Sequence, residues 1–409
     1  MMVLGLVAMG QSSGPPALLA AASRDLEARN EQCSALVQLP APVQLMALSH
    51  LSLVQLQRAR GVSRHFKRWA TEALEQLPRL VSVGGAREDP IRLKGVAGAE
   101  VEALSLATMR WVAVSGGRPP PALSLRLPAP RSDHAMVAFA DGRLAVVGGW
   151  NCGGADPMLQ LQREALQWVP GSAAWAALPD LAVPRSGAAG VALPDGRLLV
   201  AGGAAGATFR ASAEVLTADG SGWVAAAPMS GRRAFAAAGL LLLLPRGRVI
   251  VAGGLSANDP STALSTAELW DPAEDRWSAL PPMAHARAGA AACVLADGRF
   301  AVVGGMAADA RRRRDGEVYD PTAGRWEPLG GAGMPSGRAG HAVVCVGGGM
   351  VAVGGDDEGA VSSATLFDEE SGRWLALPFG LAVPRDGCAR VAPVPSSALA
   401  LHTACSTAA

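Results

Sequence analysis

Short apolar runs recur along most of the chain, and each of them ends at a pair of glycines. The runs read LAVVGG, LLVAGG, VIVAGG, FAVVGG and VAVGG, with LVSVGG before them. Their length is that of a strand, and the lack of polar alternation is typical of strands that are covered on both faces. The pattern therefore predicts strands packed between neighbouring sheets.

The glycine pairs repeat with a nearly constant period. The steps between successive pairs are 64, 54, 51, 51 and 50 residues, and a tryptophan follows each pair after 19 to 27 residues. The pairs stand at 84–85, 148–149, 202–203, 253–254, 304–305 and 354–355, and the tryptophans are Trp111, Trp175, Trp223, Trp277, Trp326 and Trp374. Six units with both marks in the same order indicate an internal repeat of about 50 residues.

Each repeat contains signals for four strands. Asp-Gly precedes three of the apolar runs (Asp141-Gly142, Asp195-Gly196 and Asp297-Gly298), which predicts two-residue hairpin turns with positive φ at both central positions. A further strand and turn precede each tryptophan. Six four-stranded antiparallel sheets around an axis make a β-propeller. In a propeller, we expect each glycine pair to lie where two backbones approach closely, and each tryptophan to fill the apolar space between neighbouring sheets.

The spacing of the glycine pair, an aromatic-Asp turn and the tryptophan resembles the kelch repeat over about residues 80–395. The segments that carry the resemblance are ELWDPAEDRW, EVYDPTAGRW and TLFDEESGRW. The resemblance implies an all-β, six-bladed kelch-type β-propeller over residues 78–409. We expect the strand in residues 383–394 to complete the N-terminal sheet, while residues 78–85 and 397–404 both remain candidates for its second strand.

Residues 34–77 have a different pattern, with apolar residues at helical spacing. The segment resembles the F-box, a small α-helical domain: a Leu-Pro pair, a leucine-rich helix and a basic stretch before an aromatic residue. The resemblance implies contact with a Skp-type adaptor and a cullin scaffold. The residues implied in adaptor binding are Leu39, Pro40, Leu45, Leu48, Leu51, Leu56, Val62 and Phe66. The alternative is a helical cap on one sheet. Residues 1–33 are expected to be a flexible segment, and no function is assigned to them.

An arginine precedes the expected first strand of each repeat, 10 to 20 residues after the preceding tryptophan. Six guanidinium groups at one mouth of the propeller would attract anions, because arginine recognises carboxylate and phosphate in bidentate geometry. We therefore expect this face to bind an acidic or phosphorylated target segment, unless the arginines bond to backbone carbonyls instead. The predicted target-binding residues are Arg131, Arg185, Arg233, Arg287, Arg338, Arg385 and the loop residue Trp150.

Composition narrows the function classes. The 36 basic and 35 acidic residues leave a net charge of +1, which argues against a nucleic-acid or membrane partner. Six scattered cysteines form no C-x-x-C pair and are expected to be free thiols, so a cytoplasmic or nuclear location is favoured. Tyr319 is the single tyrosine, which excludes copper-radical oxidase chemistry that needs two. His134 and His341 occupy equivalent positions in separate repeats, so no metal site is expected, and no cofactor motif is present.

These features together favour a non-catalytic substrate-recognition subunit of a cullin-RING ubiquitin ligase of the SCF type. In this interpretation the helical domain docks the adaptor and the propeller binds a target protein. The alternatives are a propeller enzyme that acts on a sugar, similar to a mutarotase, and a kelch scaffold without catalytic function.

Overall fold

A computed structural model describes residues 126–151, 161–170, 172, 174–244, 247–346, 349–357, 359, 361–377 and 380–381, and the backbone of strands within 79–113 and at 391–394. Nearly all regular structure in these residues is β-strand, and a short 3-10 helix spans Pro260–Thr262. The predicted F-box-like domain, and the boundaries proposed for it and for residues 1–33, lie outside the described residues.

The first half of the described chain supplies fifteen strands. The first five are β1 (Arg79–Val83), β2 (Ala86–Glu88), β3 (Gly95–Ala97), β4 (Val101–Ser105) and β5 (Arg110–Ala113). Then follow β6 (Ala135–Ala138), β7 (Leu144–Val147), β8 (Ala165–Trp168) and β9 (Ala176–Leu178). The last six are β10 (Ala189–Ala192), β11 (Leu198–Ala201), β12 (Ala204–Ala205), β13 (Thr208–Phe209), β14 (Ala213–Leu216) and β15 (Trp223–Ala226).

The second half continues with thirteen strands at a more regular spacing. The next four are β16 (Ala237–Leu241), β17 (Arg248–Ala252), β18 (Ala267–Asp271) and β19 (Arg276–Leu280). They are followed by β20 (Ala291–Val294), β21 (Phe300–Val303), β22 (Gly316–Asp320) and β23 (Arg325–Pro328). The last five are β24 (Ala342–Cys345), β25 (Gly349–Val353), β26 (Ala364–Asp368), β27 (Arg373–Ala376) and β28 (Val391–Val394).

Six four-stranded antiparallel sheets result, numbered here one to six along the chain. Their strand orders are β28-β1-β4-β5, β6-β7-β8-β9, β10-β11-β14-β15, β16-β17-β18-β19, β20-β21-β22-β23 and β24-β25-β26-β27. The first strand of each sheet contacts the first strand of the next, and β24 of sheet six contacts β28 of sheet one. The contacts close a ring, which confirms the six-bladed β-propeller.

Sheet one joins the two ends of the propeller. Strand β28 pairs with β1, with Arg79 opposite Val394 and Ser82 opposite Val391. The C-terminal strand therefore completes the N-terminal sheet, and β1 is its second strand, as one of the two alternatives predicted. The competing segment 397–404 lies outside the described residues.

The core consists of apolar layers between neighbouring sheets. In β11, Leu199 packs in the layer shared with sheet four, whereas Leu198 and Val200 pack in the layer shared with sheet two. Equivalent layers join sheets four and five and sheets five and six. Successive side chains of a strand point to opposite faces, and both faces are covered, which is why the second strands carry no polar alternation.

The hairpins between first and second strands exist where Asp-Gly predicts them, but their turn type differs from the prediction. The N–H of Phe139 donates to the Arg143 carbonyl oxygen at 2.9 Å, so three residues form the loop. Within the loop 140–142 only Gly142 has positive φ, at 85°, which is typical of a type I turn followed by a bulge. Asp141 favours this form because its carboxylate accepts from the Arg143 N–H at 3.0 Å and from its Nε at 2.6 Å.

Four of the described tryptophans, Trp223, Trp277, Trp326 and Trp374, lie between sheets, as predicted. The indole Nε1 of Trp277 in sheet four donates to the Ala227 carbonyl oxygen of sheet three at 2.8 Å, and its ring lies 6.4 Å from that of Trp270. Trp223 and Trp326 make the equivalent bonds to Pro179 and Pro281. Each of these three tryptophans thus contributes apolar packing and one hydrogen bond to the interface with the preceding sheet.

Candidate binding face of the propeller

The two faces of the propeller differ in what they display. One face carries the hairpins between first and second strands and is called the hairpin face. The other carries the loops that follow the glycine pairs, and is called the glycine-pair face. The predicted target-binding arginines enter their sheets from the glycine-pair face, so they are the first candidates for a site there.

Arg233 shows what these arginines contact. Its Nη1 donates to the carbonyl oxygens of Gly253 at 3.1 Å and Thr266 at 3.0 Å, and its Nη2 donates to Oε1 of Glu268 at 2.7 Å. The second carboxylate oxygen of Glu268 accepts from the Ser230 N–H at 2.8 Å. Both charged side chains are buried, with 2% and 3% of their surface exposed. The guanidinium therefore ties together the strands of its own sheet.

Two further arginines repeat this arrangement. Arg185 bonds to the carbonyls of Gly202 and Ser212 and to Glu214, and Arg287 bonds to the carbonyls of Gly304 and Asp315 and to Glu317. Burial lowers the pKa of Arg185, while the Glu214 carboxylate opposes this effect. A buried charge has to be paired and hydrogen-bonded, and in these three sheets the third strand supplies the carboxylate.

Sheets two and six vary the pattern. Arg131 pairs with Glu164, just before β8, and donates to the Gly148 carbonyl oxygen at 3.3 Å. Arg338 donates to the carbonyls of Gly354 and Ser363 at 3.0 and 3.2 Å and to the Ser336 and Ser363 hydroxyls. Both guanidinium groups are buried.

The prediction of an open ring of guanidinium groups is therefore wrong for the five described arginines. Arg131, Arg185, Arg233, Arg287 and Arg338 are each at most 2% exposed, and their terminal nitrogens already donate to glycine carbonyls and to carboxylates or hydroxyls. The alternative that they bond to backbone carbonyls is the observed one, although the carbonyls belong to the same sheet. Arg385 lies outside the described residues.

The glycine pairs extend these arginine contacts from one sheet to the next. The N–H of Gly254 donates to the Arg287 carbonyl oxygen of the following sheet at 2.9 Å, and Gly253 has φ of +68°. A Cβ on Gly253 would lie 2.4 Å from the same oxygen. The contact recurs from Gly203 to Arg233 and from Gly305 to Arg338 at 2.9 Å. Each of these described pairs thus needs glycine for its conformation and for the close approach, as the sequence predicts.

The accessible groups of this face lie on its loops. Trp150 directly follows a glycine pair, is 38% exposed, and is held by backbone bonds to Ser132. In the loop of sheet five, Arg312 pairs with Asp356 of sheet six. An acidic residue that follows the last glycine pair therefore neutralises one charge of the arginine run at 311–314. Trp150 remains a predicted target-binding residue.

One group of possible metal ligands was not foreseen in the sequence. Nδ1 of His285 lies 3.7 Å from carboxylate oxygens of Asp315 and Glu317. Arg287 Nη2 already donates to both carboxylates, at 3.0 and 2.8 Å. The cluster is therefore an ion-pair network. His134 and His341 lie buried at the starts of β6 and β24, in separate sheets.

His341 gives the propeller a predictable response to acid. Burial, and then the charge of Arg338, lower its pKa to about 3. Histidine in an unfolded chain titrates near pH 6.5. Between these values the unfolded state binds the extra proton, so the contribution of neutral His341 to stability is complete above about pH 6.5 and is lost as the pH falls towards 3. His341→Leu should lose less free energy of unfolding than the wild type between about pH 7 and pH 5 in urea titrations. Equal losses would contradict this.

The predicted adaptor-binding residues, from Leu39 to Phe66, lie outside the described residues.

Among the helices that the structure describes, none has the length and apolar character needed to cross a membrane. Cys293 and Cys345 are free thiols, and burial raises the pKa of Cys345 to about 11, so this thiol is protonated at neutral pH.

Comparison with known proteins identifies kelch motifs in the chain and a set of related proteins. A model of the kelch motif matches residues 244–284, in sheet four, and 337–378, in sheet six. The chain is 34% identical over 139 residues to the F-box/kelch-repeat protein At2g44130 of Arabidopsis thaliana, covering 33% of each chain. It is 34% identical over 150 residues to the F-box/kelch-repeat protein SKIP20 of the same plant, covering 34% of this chain and 35% of the relative. A third, At1g80440, is 39% identical over 83 residues, 20% of this chain and 23% of the relative.

The matched regions span about a third of the length of the first two relatives. The kelch matches coincide with two of the sheets whose glycine pairs and tryptophans define the repeat. The chain thus folds as a β-propeller that contains kelch motifs, and it resembles the F-box/kelch-repeat proteins, as its sequence predicts.

Proposed function

We propose that this protein is the substrate-recognition subunit of an SCF-type ubiquitin ligase. The observation that carries the proposal is the combination of kelch repeats with relatives that are named F-box/kelch-repeat proteins. In this role residues 34–77 bind a Skp-type adaptor, and the propeller binds the target protein. The protein itself catalyses nothing. It holds the target close to the ligase and so raises the effective concentration of target lysines.

The topology of sheet one supports a different role for each face of the propeller, with the adaptor on one side and the target on the other. Arg79 begins β1, the second strand, opposite Val394 at the end of the first strand. In the other sheets this end carries the hairpin, for example between Leu241 and Arg248. The chain therefore enters β1 at the hairpin face. We propose that an adaptor bound to residues 34–77 leaves the glycine-pair face accessible to a target.

The target surface that we propose is formed by the loops of the glycine-pair face. Loops on a rigid scaffold are the usual place of recognition, and aromatic side chains such as Trp150 are common anchors in protein interfaces. The buried arginines have a structural part in this proposal, because they hold each sheet and its glycine pair in place. We expect the protein to act in the cytoplasm or nucleus, where the adaptor and cullin operate.

Adaptor binding can be tested on the full chain. Leu48→Ala/Leu51→Ala should reduce the recovery of a purified Skp-type adaptor in a pull-down by at least about tenfold, because two buried leucine side chains contribute about 1.5–3 kcal/mol each to an apolar interface. The matched control is Leu18→Ala/Leu19→Ala, in the segment to which no function is assigned.

The control variant should bind the adaptor as the wild type does. Thermal unfolding of all three proteins tests whether the propeller is intact in each. Absence of adaptor binding by a folded wild-type protein, or equal recovery with both variants, would contradict the proposed function.

A further inference from the structure

A cavity of about 580 Å³ opens between two loops at the glycine-pair end of sheet five. One wall is the loop 307–315, which connects β21 to β22, and the other is the segment 329–333 that follows β23. The N–H of Met334 donates to the Arg314 carbonyl oxygen at 2.8 Å, and the N–H of Leu329 donates to that of Gly316 at 3.0 Å. The two walls are therefore held together at both ends of the glycine-rich segment.

The cavity exists because the second wall is longer than its counterparts and lacks large side chains. A buried methionine follows the tryptophan after six residues in sheets three and four, from Trp223 to Met229 and from Trp277 to Met283, but after eight in sheet five. This segment, which is two residues longer, contains the stretch Gly330-Gly331-Ala332-Gly333. No side chain in it extends beyond Cβ, so the space beside the arginine loop stays open.

The backbone of this stretch presents hydrogen-bond donors. Gly330, Gly331 and Gly333 have φ of +83°, +73° and +74°. Within the part of the chain that the structure describes, the N–H groups of residues 330–333 donate to no protein acceptor. Successive N–H groups in glycine-rich turns form concave binding sites for anions.

The opposite wall is cationic. Four consecutive arginines against Asp309 and Asp315 leave a net charge of +2 on the residues that line the cavity. Arg312 is paired with Asp356, and Arg313 holds Asp315 in a bidentate pair at 2.9 and 3.1 Å. These two guanidinium groups are therefore already engaged.

The other two arginines have donors to spare. The Arg311 side chain is 87% exposed, and its contact with Asp309 is 3.6 Å long. Arg314 donates through Nε to the Met334 carbonyl oxygen at 2.6 Å, and among the described residues its two terminal nitrogens have no acceptor. Arginine with free terminal nitrogens is the side chain best suited to bidentate contacts with phosphate.

We propose that this cavity binds the phosphoryl group of a phosphorylated peptide segment. The dianion would accept from Arg311, Arg314 and the backbone N–H groups of residues 330–333. Of the described residues that line the cavity none is aromatic, so a nucleobase would find no ring to stack on. The open side of the cavity faces solvent, as an extended peptide requires. Assigning the peptide to a ligase target rests on the proposed function, whereas binding of the phosphoryl group does not.

Isothermal titration of the full chain tests the site with three probes. They are a pentapeptide of phosphoserine flanked by glycine and alanine, its unphosphorylated form, and inorganic phosphate. We expect the phosphopeptide to bind with a Kd of about 1 mM or lower, and the unphosphorylated peptide not to bind. Phosphate alone should bind more weakly than the phosphopeptide. Binding of inorganic phosphate with no gain from the peptide would contradict the assignment to a peptide.

Two variants locate the binding. Arg311→Gln/Arg314→Gln removes the two available guanidinium groups, and Ala332→Glu places a negative charge at the exposed rim while all four arginines are retained. Each should weaken phosphopeptide binding by at least about tenfold, or about 1.4 kcal/mol. The control is Arg325→Gln, an exposed arginine on β23 that bonds to Glu327, and it should bind as the wild type does.

The outcomes separate this site from the adaptor interaction. Phosphopeptide binding that is absent in the wild type, or equal in the wild type and both variants, would overturn the site even if the adaptor binds. Binding that follows the expected pattern would support the site even if the adaptor does not bind.

Discussion

Glu268→Ala should lower the free energy of unfolding by about 3–5 kcal/mol, because removing one partner of a buried ion pair leaves the other charge uncompensated. Glu268 is buried and accepts from Arg233 at 2.7 Å and from the Ser230 N–H at 2.8 Å. The substitution would therefore leave the buried Arg233 guanidinium without its carboxylate partner and the Ser230 N–H without its acceptor. Urea denaturation followed by tryptophan fluorescence measures the change.

The matched control for this prediction lies in the same sheet. Glu274 pairs with Arg276 at 2.8 Å, but both side chains are more than half exposed. An exposed pair contributes about 0–1 kcal/mol, so Glu274→Ala should have little effect. If the two variants lost similar stability, the buried pairs would not be the structural element that we infer from their geometry.

Gly253→Ala should destabilise the propeller by about 2–6 kcal/mol. Its φ of +68° costs other residues about 1–3 kcal/mol. The added Cβ would also lie 2.4 Å from the Arg287 carbonyl oxygen, and overpacking of this kind costs about 1–3 kcal/mol more. Because that oxygen belongs to the next sheet, the added methyl group would push two sheets apart. Thermal unfolding and urea titration would both show the loss.

A second glycine isolates the steric part of this effect. Gly324 has nearly the same φ, +67°, but a Cβ placed on it would have no heavy atom within 4 Å. Gly324→Ala should therefore show the conformational cost alone, about 1–3 kcal/mol. Equal destabilisation by the two substitutions would mean that the close approach between sheets contributes nothing.

The repeat frame could be predicted because its marks have local physical causes. Gly253 and Gly254 are required by positive φ and by the adjoining carbonyl, and Trp277 is required by the interface that it fills. The form of the Asp-Gly hairpins could not be predicted in the same way. Asp141 favours the observed turn because its carboxylate accepts hydrogen bonds from the backbone N–H and the side chain of Arg143. The turn preference of an Asp-Gly pair does not take this contact into account.

The role of the arginines was predicted wrongly because their spacing in the sequence gives their position in each repeat but does not show which side chains they contact. Arg185 and Glu214 are 29 residues apart and meet only when β14 is in place. A signal was nevertheless present, because Glu214, Glu268 and Glu317 each lie inside a short apolar strand. A carboxylate in such a strand is seldom buried without a cation. The structure consequently predicts that Arg185→Ala/Arg338→Ala lowers the melting temperature, whereas an exposed ligand-binding role would have left it unchanged.

The pairing of β28 with β1 has a consequence for biosynthesis. The chain is synthesised from its N-terminus, so about 300 residues must follow β1 before its pairing strand β28 has been made. Until then sheet one presents an open edge, and such edges attract other strands. A truncated chain that stops before residue 391 would keep this edge unpaired, so we expect it to aggregate more readily than the full chain.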